Sequence, residues 1–155
     1  MAKYEKARIV QVSRWDPWCD PEFRRMGTTQ KLLWQFIATG PHAVYGIPGL
    51  FNLTFAQVYE RVCLQPEASE AVSRNDAAEM CNDFIRRCWM QIDNAVGLVR
   101  IPNVAADMSP SQAYRVSKLL AKIQPCTLKD LHIEELMDAV STQEAADLLE
   151  EQMGQ

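Results

Sequence analysis

The order of helix and strand signals between residues 28 and 108 constrains the fold of this chain more than any other feature. A helix capped by Thr28 is predicted over residues 28–39 and ends before a Gly-Pro pair. Residues 44–50 follow as a short extended segment, which their prolines limit to a sheet edge. Two more helices and a hairpin complete the order helix, strand, helix, helix, hairpin. The inward face of the first helix is predicted from Leu32, Leu33, Phe36 and Ile37.

Capping signals place the second and third helices. Thr54-Phe55-Ala56-Gln57 is a capping box, with a hydroxyl first and an amide three residues later, and it predicts a helix over residues 55–64. The third helix has two candidate starts. Pro66 is favoured at a first helical position, whereas Ser73 would cap a later start. The inward face of this third helix is predicted from Ala77, Cys81, Phe84, Ile85 and Cys88.

A hairpin is predicted over residues 91–101. Asp93-Asn94 favours a tight turn, and Gly97 adds a second flexible point. Apolar residues flank the turn on both sides, and Arg100 is the one positive charge on the hairpin. In the order described above, such a hairpin would form a wing beside the third helix.

Residues 109–155 are predicted to add three helices. The first has a capping box at Ser109-Pro110-Ser111-Gln112 and runs to about Ile123, and the second starts at Thr127 with Leu131 inward. A third capping box, Ser141-Thr142-Gln143-Glu144, opens the last helix. The predicted fold class is mainly α with a small β-hairpin, a winged helix-turn-helix with a C-terminal helical extension. Its parts are an N-terminal arm (residues 1–27, with a short strand at 6–12), the winged-helix core (28–108) and the extension (109–155).

Composition and motifs argue against an enzyme or a metal site. The five cysteines form no Cys-x-x-Cys pair and only two histidines are present, so zinc ligands at suitable spacing are lacking. Buried reduced thiols are expected instead, with Cys81 and Cys88 on one helix face. Phosphate-binding loops and nucleophile motifs are missing, and adjacent glutamates such as Glu134 and Glu135 do not converge. We therefore expect no catalytic residues, no metal and no cofactor.

Charge is distributed unevenly along the chain. Residues 1–65 carry a net charge of +3 and residues 66–155 carry −7, for a total of −4. A basic first part with an acidic second part is compatible with local nucleic-acid binding. The start lacks the apolar stretch of a signal peptide, and no apolar run approaches the roughly 20 residues of a membrane span. A cytoplasmic protein without membrane contact is expected.

The outward side of the third helix is the candidate DNA-reading surface. Asn75, Glu79, Asn82 and Arg86 share it, at spacings of four, three and four. Asparagine can pair with adenine and arginine with guanine in the major groove. The alternative is a face that is merely solvated. The full set of candidate DNA-binding residues is Arg24, Arg25, Arg74, Asn75, Asn82, Arg86 and Arg100.

Other residues carry weaker signals with two interpretations each. Arg24-Arg25 is either a phosphate clamp or a solvated pair. Trp15 and Trp18 either anchor a loop on the core or stack on a nucleobase. Arg115, Lys118 and Lys122 are expected to be spread around an exposed side, where they could touch a nucleic-acid backbone. The last helix is acidic and either packs on the body or binds a partner protein or a second copy; its candidate partner-binding residues are Glu144, Asp147, Glu150 and Glu151.

Part of the chain resembles a known family. The tryptophan-rich loop from Trp15, followed by residues 30–42, is similar to the N-terminal winged-helix domain of phage and prophage replication-organiser proteins. A helix ending in Leu-x-Thr-x-Pro (here with Ile37 first) and a Gly-Ile-Tyr-like strand are typical of them, and residues 45–50 stand in the strand's place. Residues 89–93, 98–103 and 123–129 also fit, so the similarity covers about 14–140.

The resemblance implies a function. The helix and wing would bind double-stranded origin or operator DNA in the cytoplasm of a bacterial host, with recruitment of a host or phage protein elsewhere on the chain. The alternative is a phage-encoded protein-binding module on the same fold. Such a module could inhibit a host defence complex through an acidic face that copies DNA phosphate. A homodimer through the last helix is a further expectation.

Overall fold

The computed structural model describes residues 17–44, 46–63, 72–104 and 107–154. In these ranges the chain is mainly helical, with a small three-stranded antiparallel sheet. The strand predicted at 6–12 and the side chain of Trp15 lie outside them. After a 3₁₀ turn (Pro17–Cys19) the elements are α1 (Pro21–Arg25), α2 (Thr28–Thr39), α3 (Pro41–Val44), β1 (Leu50–Asn52), α4 (Phe55–Val62), α5 (Arg74–Arg86), β2 (Gln91–Asp93), β3 (Leu98–Arg100), α6 (Pro110–Leu120), α7 (Thr127–Ala139) and α8 (Gln143–Glu150).

Local capping chemistry starts most of these helices. The capping boxes at Thr54 and Ser109 are both present, and Ser73 caps α5, which decides between its two candidate starts. Two predicted caps are wrong. Thr28 is the first helical residue of α2 and follows a cap position without a side-chain bond. The last helix is capped by Thr142, which accepts from the backbone N–H of Ala145, rather than by Ser141.

The sheet places β3 in the centre, between β1 and β2. Leu50 pairs with Arg100 on one side of β3, and Gln91 pairs with Arg100 on the other. The predicted hairpin is therefore confirmed. The extended segment predicted over residues 44–50 is confirmed at a sheet edge, but its predicted start is wrong, because Val44 ends a short helix and strand β1 begins only at Leu50. A tight turn through Pro48 and Gly49, closed by a bridge from Ile47 to Leu50, separates the two.

The two faces of the sheet support two hydrophobic cores. Phe51 and Val99 point into a core formed with α2, α4 and α5. Leu50 and Leu98 point the other way, into a core formed with α6, α7 and α8. Because side chains alternate along a strand, Arg100 shares the face of Leu98 and points towards the C-terminal helices.

Several positions predicted to face inward are exposed. Leu32 is 54% exposed. Trp34 is buried instead, and its ring packs against the rings of Phe84 and Trp89 at centroid distances of 5.2 and 5.7 Å. Leu131 on α7 is also exposed. The other exposed positions are Ile85, which lies in the last turn of α5, and Cys88, which lies beyond the last helical residue, Arg86.

Candidate nucleic-acid interface

The outward stripe of α5 is the centre of the candidate interface. Ala77, Cys81 and Phe84 bury one side of this helix, so the opposite side faces solvent. The side chains at the predicted spacings are all exposed, as expected from the sequence. Two amides, one carboxylate and one guanidinium therefore stand in one accessible row: Asn75, Glu79, Asn82 and Arg86.

Arg86 is already engaged by two carboxylates. Its Nη1 lies 4.0 Å from Glu79 Oε2, and its Nη2 lies 3.6 Å from Asp83 Oδ1. The arginine side chain is 62% exposed, so these are surface ion pairs, which are weak and easily exchanged. A phosphate or guanine can replace a carboxylate as the partner of Arg86, at the cost of leaving that carboxylate beside the ligand.

Asp83 is held by the framework as well as by Arg86. It accepts hydrogen bonds from Arg87 Nε at 3.0 Å and from Gln30 Nε2 at 3.1 Å. Burial acts to raise the pKa of Asp83, but these hydrogen bonds and the two guanidinium charges outweigh it and lower the pKa. Asp83 therefore stays ionised and fixes the end of α5 against α2.

Arg74 is positioned by aromatic rings at the start of α5. Its guanidinium carbon lies 5.7 Å from the ring centroids of both Phe55 and Tyr59 on α4. Such cation–π contacts orient a guanidinium without neutralising its charge. Arg74 is thus a charged, exposed and pre-oriented side chain beside Asn75.

Arg24 and Arg25 lie at the end of α1, and both are exposed. Arg25 forms a surface ion pair with Glu22 at 3.5 Å. The carbonyl of Arg24 accepts from Lys31 Nζ at 2.8 Å, which ties this corner to α2. Trp18 packs edge-on against the fully buried Phe23 with a centroid distance of 5.1 Å and is 51% exposed, so one edge of its ring contacts the core while the rest faces solvent.

The structure corrects the placement of Arg100. The sequence offers this residue as the positive charge of an exposed wing, but its side chain is buried. Its Nη1 donates to Gln91 Oε1 at 2.6 Å, and its Nη2 lies 3.5 Å from Glu135 Oε1. Arg100 is unavailable to a phosphate because the C-terminal helices cover the face of β3 on which it lies.

His132 on α7 completes this buried network and was not singled out from the sequence. It accepts from Arg100 Nε through Nδ1 at 3.1 Å and donates from Nε2 to the carbonyl of Pro48. Burial, aided by the charge of Arg100, lowers the pKa of His132 to about 4, although the bond to Pro48 opposes the shift. The imidazole is therefore neutral at pH 7. It connects α7, the hairpin and the turn before β1.

Glu135 and Lys129 are the other polar groups of α7 that face inward. Glu135 Oε1 accepts from the backbone N–H of Asn103 at 2.6 Å. Lys129 is fully buried and donates to the carbonyl of Ile123 at 3.1 Å. Burial lowers the pKa of Lys129. Both side chains thus bond to the backbone of the segments that flank α7. The pattern of polar residues along a helix does not show which of them are buried in this way, so the sequence alone did not identify these two.

The acidic side of α8 is exposed, as expected. Its apolar side is not available for a groove on another protein, because Ala145 and Leu149 lie in the core shared with α6 and α7. The last helix therefore packs on the body of the molecule. The carboxylates that remain accessible are Glu144, Asp147, Glu150 and Glu151.

A second row of cations lies on α6 and on the turn after it. The opposite side of this helix is buried and carries Ala113, Val116 and Leu120. As expected, the basic residues lie on the exposed side of the helix, which they share with Tyr114, a residue that is 51% exposed. No ion pair joins these cations to an acidic side chain in the described ranges. The row consists of Tyr114, Arg115, Lys118 and Lys122.

The thiols differ in exposure. Cys63 and Cys81 are buried, whereas Cys88 is exposed. The expectation of buried thiols is therefore wrong for Cys19, which is also exposed, and for Cys88, which lies past the end of α5 with φ of 61°. Burial raises the pKa of Cys81 to about 11, and the neighbouring Cys63 adds to the shift. Within the part of the chain that the structure describes, no group of three metal-ligating side chains could hold a metal ion.

No protein-family model, no curated protein and no solved structure matches this chain. Among the described residues, none of the helices has the length and apolar character needed to cross a membrane.

Proposed function

We propose that this chain is a winged-helix DNA-binding protein that contacts double-stranded DNA through the outward stripe of α5. The order α2, β1, α4, α5 and the β2–β3 hairpin, with β1 paired to β3, supports a winged-helix architecture. The exposed row of amide and guanidinium groups on α5 is the observation that carries the proposal. A helix in that place presents its outward side to the major groove.

Each side chain of the stripe has a role in this proposal. Asn75 and Asn82 read base edges, since an asparagine amide pairs in bidentate fashion with adenine. Arg74 is fixed by the rings of Phe55 and Tyr59 and meets a phosphate at the start of the helix. Arg86 exchanges its surface carboxylates for a guanine edge or a phosphate.

The backbone contacts are few. Arg24 and Arg25 add charge near α1, whereas Arg100 supports the hairpin from inside and touches no DNA. Four cations on phosphate give a salt slope of about −4 for duplex DNA. We propose that the protein acts in phage or prophage DNA replication or its regulation, inside a bacterial host cell, in line with the family that the sequence resembles.

A mobility-shift experiment with matched variants tests the α5 surface. Asn75→Ala and Asn82→Ala should each weaken binding to a selected duplex by about 1–3 kcal/mol and leave binding to random duplex nearly unchanged. Gln124→Ala and Gln143→Ala remove exposed amides elsewhere and serve as controls. Equal affinities for all five proteins, wild type included, would contradict the assignment of α5 as the reading helix.

The exposed carboxylates of α8 favour a second candidate, a protein-binding module on the same fold. In the described ranges no cation forms an ion pair with Glu144, Asp147, Glu150 or Glu151. Such a row can imitate the phosphates of DNA and inhibit a host DNA-binding complex. Reversal of these four charges should abolish capture of a host protein in a pull-down. If the charge-reversed variant still binds duplex DNA and still captures the same host proteins, this candidate is excluded.

A further inference from the structure

The basic row on α6 belongs to a different part of the molecule from the α5 stripe. Helix α6 packs into the core under Leu50 and Leu98, whereas α5 packs into the core under Phe51 and Val99. The two helices thus lie on opposite faces of the sheet. The charges on α6 therefore form a surface of their own, which duplex binding through α5 does not use.

The row has the chemistry of a polyanion site. From Arg115 to Lys122 the backbone rises by roughly 10 Å, so three positive side chains follow one another along a line. These cations are exposed, and no carboxylate of the described chain pairs with them. Because α6 buries its apolar side in the protein core, it has no apolar face to insert into a lipid surface.

Tyr114 adds an exposed aromatic ring, which a site for phosphate alone does not need. Its ring is 51% exposed, and Lys118 Nζ lies 4.5 Å from the ring centroid. Because the ammonium lies over one face of the ring, a base would stack on the other face while the ammonium meets an adjacent phosphate. Bases in a duplex are already stacked on each other, so this arrangement suits an unpaired strand.

We infer that the exposed row of Tyr114, Arg115, Lys118 and Lys122 binds single-stranded nucleic acid. The three cations contact consecutive parts of the backbone, and Tyr114 stacks on one base. The binding is tolerant of sequence, since every base offers a face for stacking and phosphates are uniform. It goes beyond the duplex binding proposed for α5, and each of the two activities can be lost without the other.

Anisotropy of a labelled oligothymidylate, titrated with the full chain over a salt series, tests the inference. The triple variant Arg115→Gln, Lys118→Gln, Lys122→Gln should reduce the magnitude of the salt slope by about 2, since each phosphate contact on a single strand contributes roughly 0.7. Tyr114→Ala should weaken binding about tenfold, while Tyr114→Phe keeps the ring and the affinity. Arg61→Gln on α4 is the control outside both surfaces, and circular dichroism verifies folding of every variant.

Three outcomes would overturn the inference. The first is that the wild type does not bind oligothymidylate, and the second is that the triple variant binds it as tightly as the wild type. The third is that the same four residues bind polyglutamate or anionic vesicles as tightly as oligothymidylate. A duplex measured in parallel separates this result from the α5 proposal. Duplex binding without oligothymidylate binding contradicts only the α6 site, and the reverse contradicts only the α5 site.

Discussion

Arg100 on β3 donates a buried hydrogen bond from Nε to Nδ1 of His132 on α7, over 3.1 Å. The bond joins residues 32 positions apart and crosses from the hairpin to the C-terminal helices. The other ring nitrogen of His132 donates to Pro48, so the turn before β1 joins the same network. The conformation of the hairpin therefore depends on α7, and a hairpin without the C-terminal helices would lose this support.

Stability should fall in mild acid because of His132. Its pKa is lowered from 6.5 to about 4 in the folded protein, so the unfolded chain binds more protons between those values. The contribution of the neutral imidazole is fully present above pH 6.5 and is lost as the pH falls towards 4. The loss amounts to about 3 kcal/mol. Urea denaturation at pH 7 and pH 4 should show that His132→Gln loses less stability than the wild type over this interval. Equal losses in both proteins would exclude His132 as the source.

Replacement of Arg100 should destabilise the fold and leave the salt slope of the proposed duplex binding unchanged. In Arg100→Met, Glu135 loses its ion pair and His132 Nδ1 loses its donor. Removing one partner of a buried ionic network costs about 3–5 kcal/mol. Arg25→Met, at an exposed surface pair, should cost under about 1 kcal/mol. Denaturant midpoints measure both effects. A stable Arg100→Met variant with a shallower salt slope for duplex binding would instead show that Arg100 contacts phosphate.

Two glycines with nearly the same backbone angle should respond differently to alanine. Gly49 has φ of 76°, and a Cβ there would lie 2.9 Å from His132 Cε1, Ile101 O and Val104 Cγ2. Gly97 has φ of 72°, and a Cβ there would have no atom of the described residues within 4 Å. Gly97→Ala should cost only the backbone strain of about 1–2 kcal/mol. Gly49→Ala should cost clearly more, because it also displaces the buried network. Equal thermal stabilities for the two variants would show that the contacts around Gly49 relax freely.

The thiols of Cys81 and Cys88 should differ in their rates of modification. Cys81 is buried and its pKa is raised to about 11, so it is almost wholly protonated at pH 8. Cys88 is exposed, and the thiolate is the reactive form of cysteine. In a time course with a disulfide reagent, the wild type should show a fast phase that shrinks in Cys88→Ser and is unchanged in Cys81→Ser. A fast phase lost in Cys81→Ser would contradict the burial of that thiol.

The parts of the fold that depend on local chemistry could be predicted from the sequence. The side chains of Thr54 and Gln57 each accept a hydrogen bond from the backbone N–H of the other residue, and Ser109 and Gln112 do the same. These bonds depend only on nearby residues, so both helix starts can be predicted from the sequence. The start of β1 could not be predicted in this way. It depends on the turn at Gly49, whose conformation is held by contacts with the distant His132.

The burial of Arg100 illustrates the same division between local and tertiary information. Its spacing of two from Leu98 places both side chains on one face of β3, which the sequence does indicate. Helix α7 covers this face and places His132 and Glu135 against Arg100. This contact depends on the tertiary packing, so the local sequence does not predict it. The outward side of α5 was predicted correctly, since Asn75, Asn82 and Arg86 follow from helical spacing alone.

We propose that this protein binds double-stranded DNA. A mobility-shift titration of the full chain on duplex DNA, repeated over a salt series, tests it most directly. We predict a complex at low salt whose logarithmic binding constant falls with the logarithm of salt concentration with a slope of about −4. The slope should shrink by about 0.9 in Arg74→Gln and in Arg86→Gln. No complex with any duplex at low salt would contradict the claim.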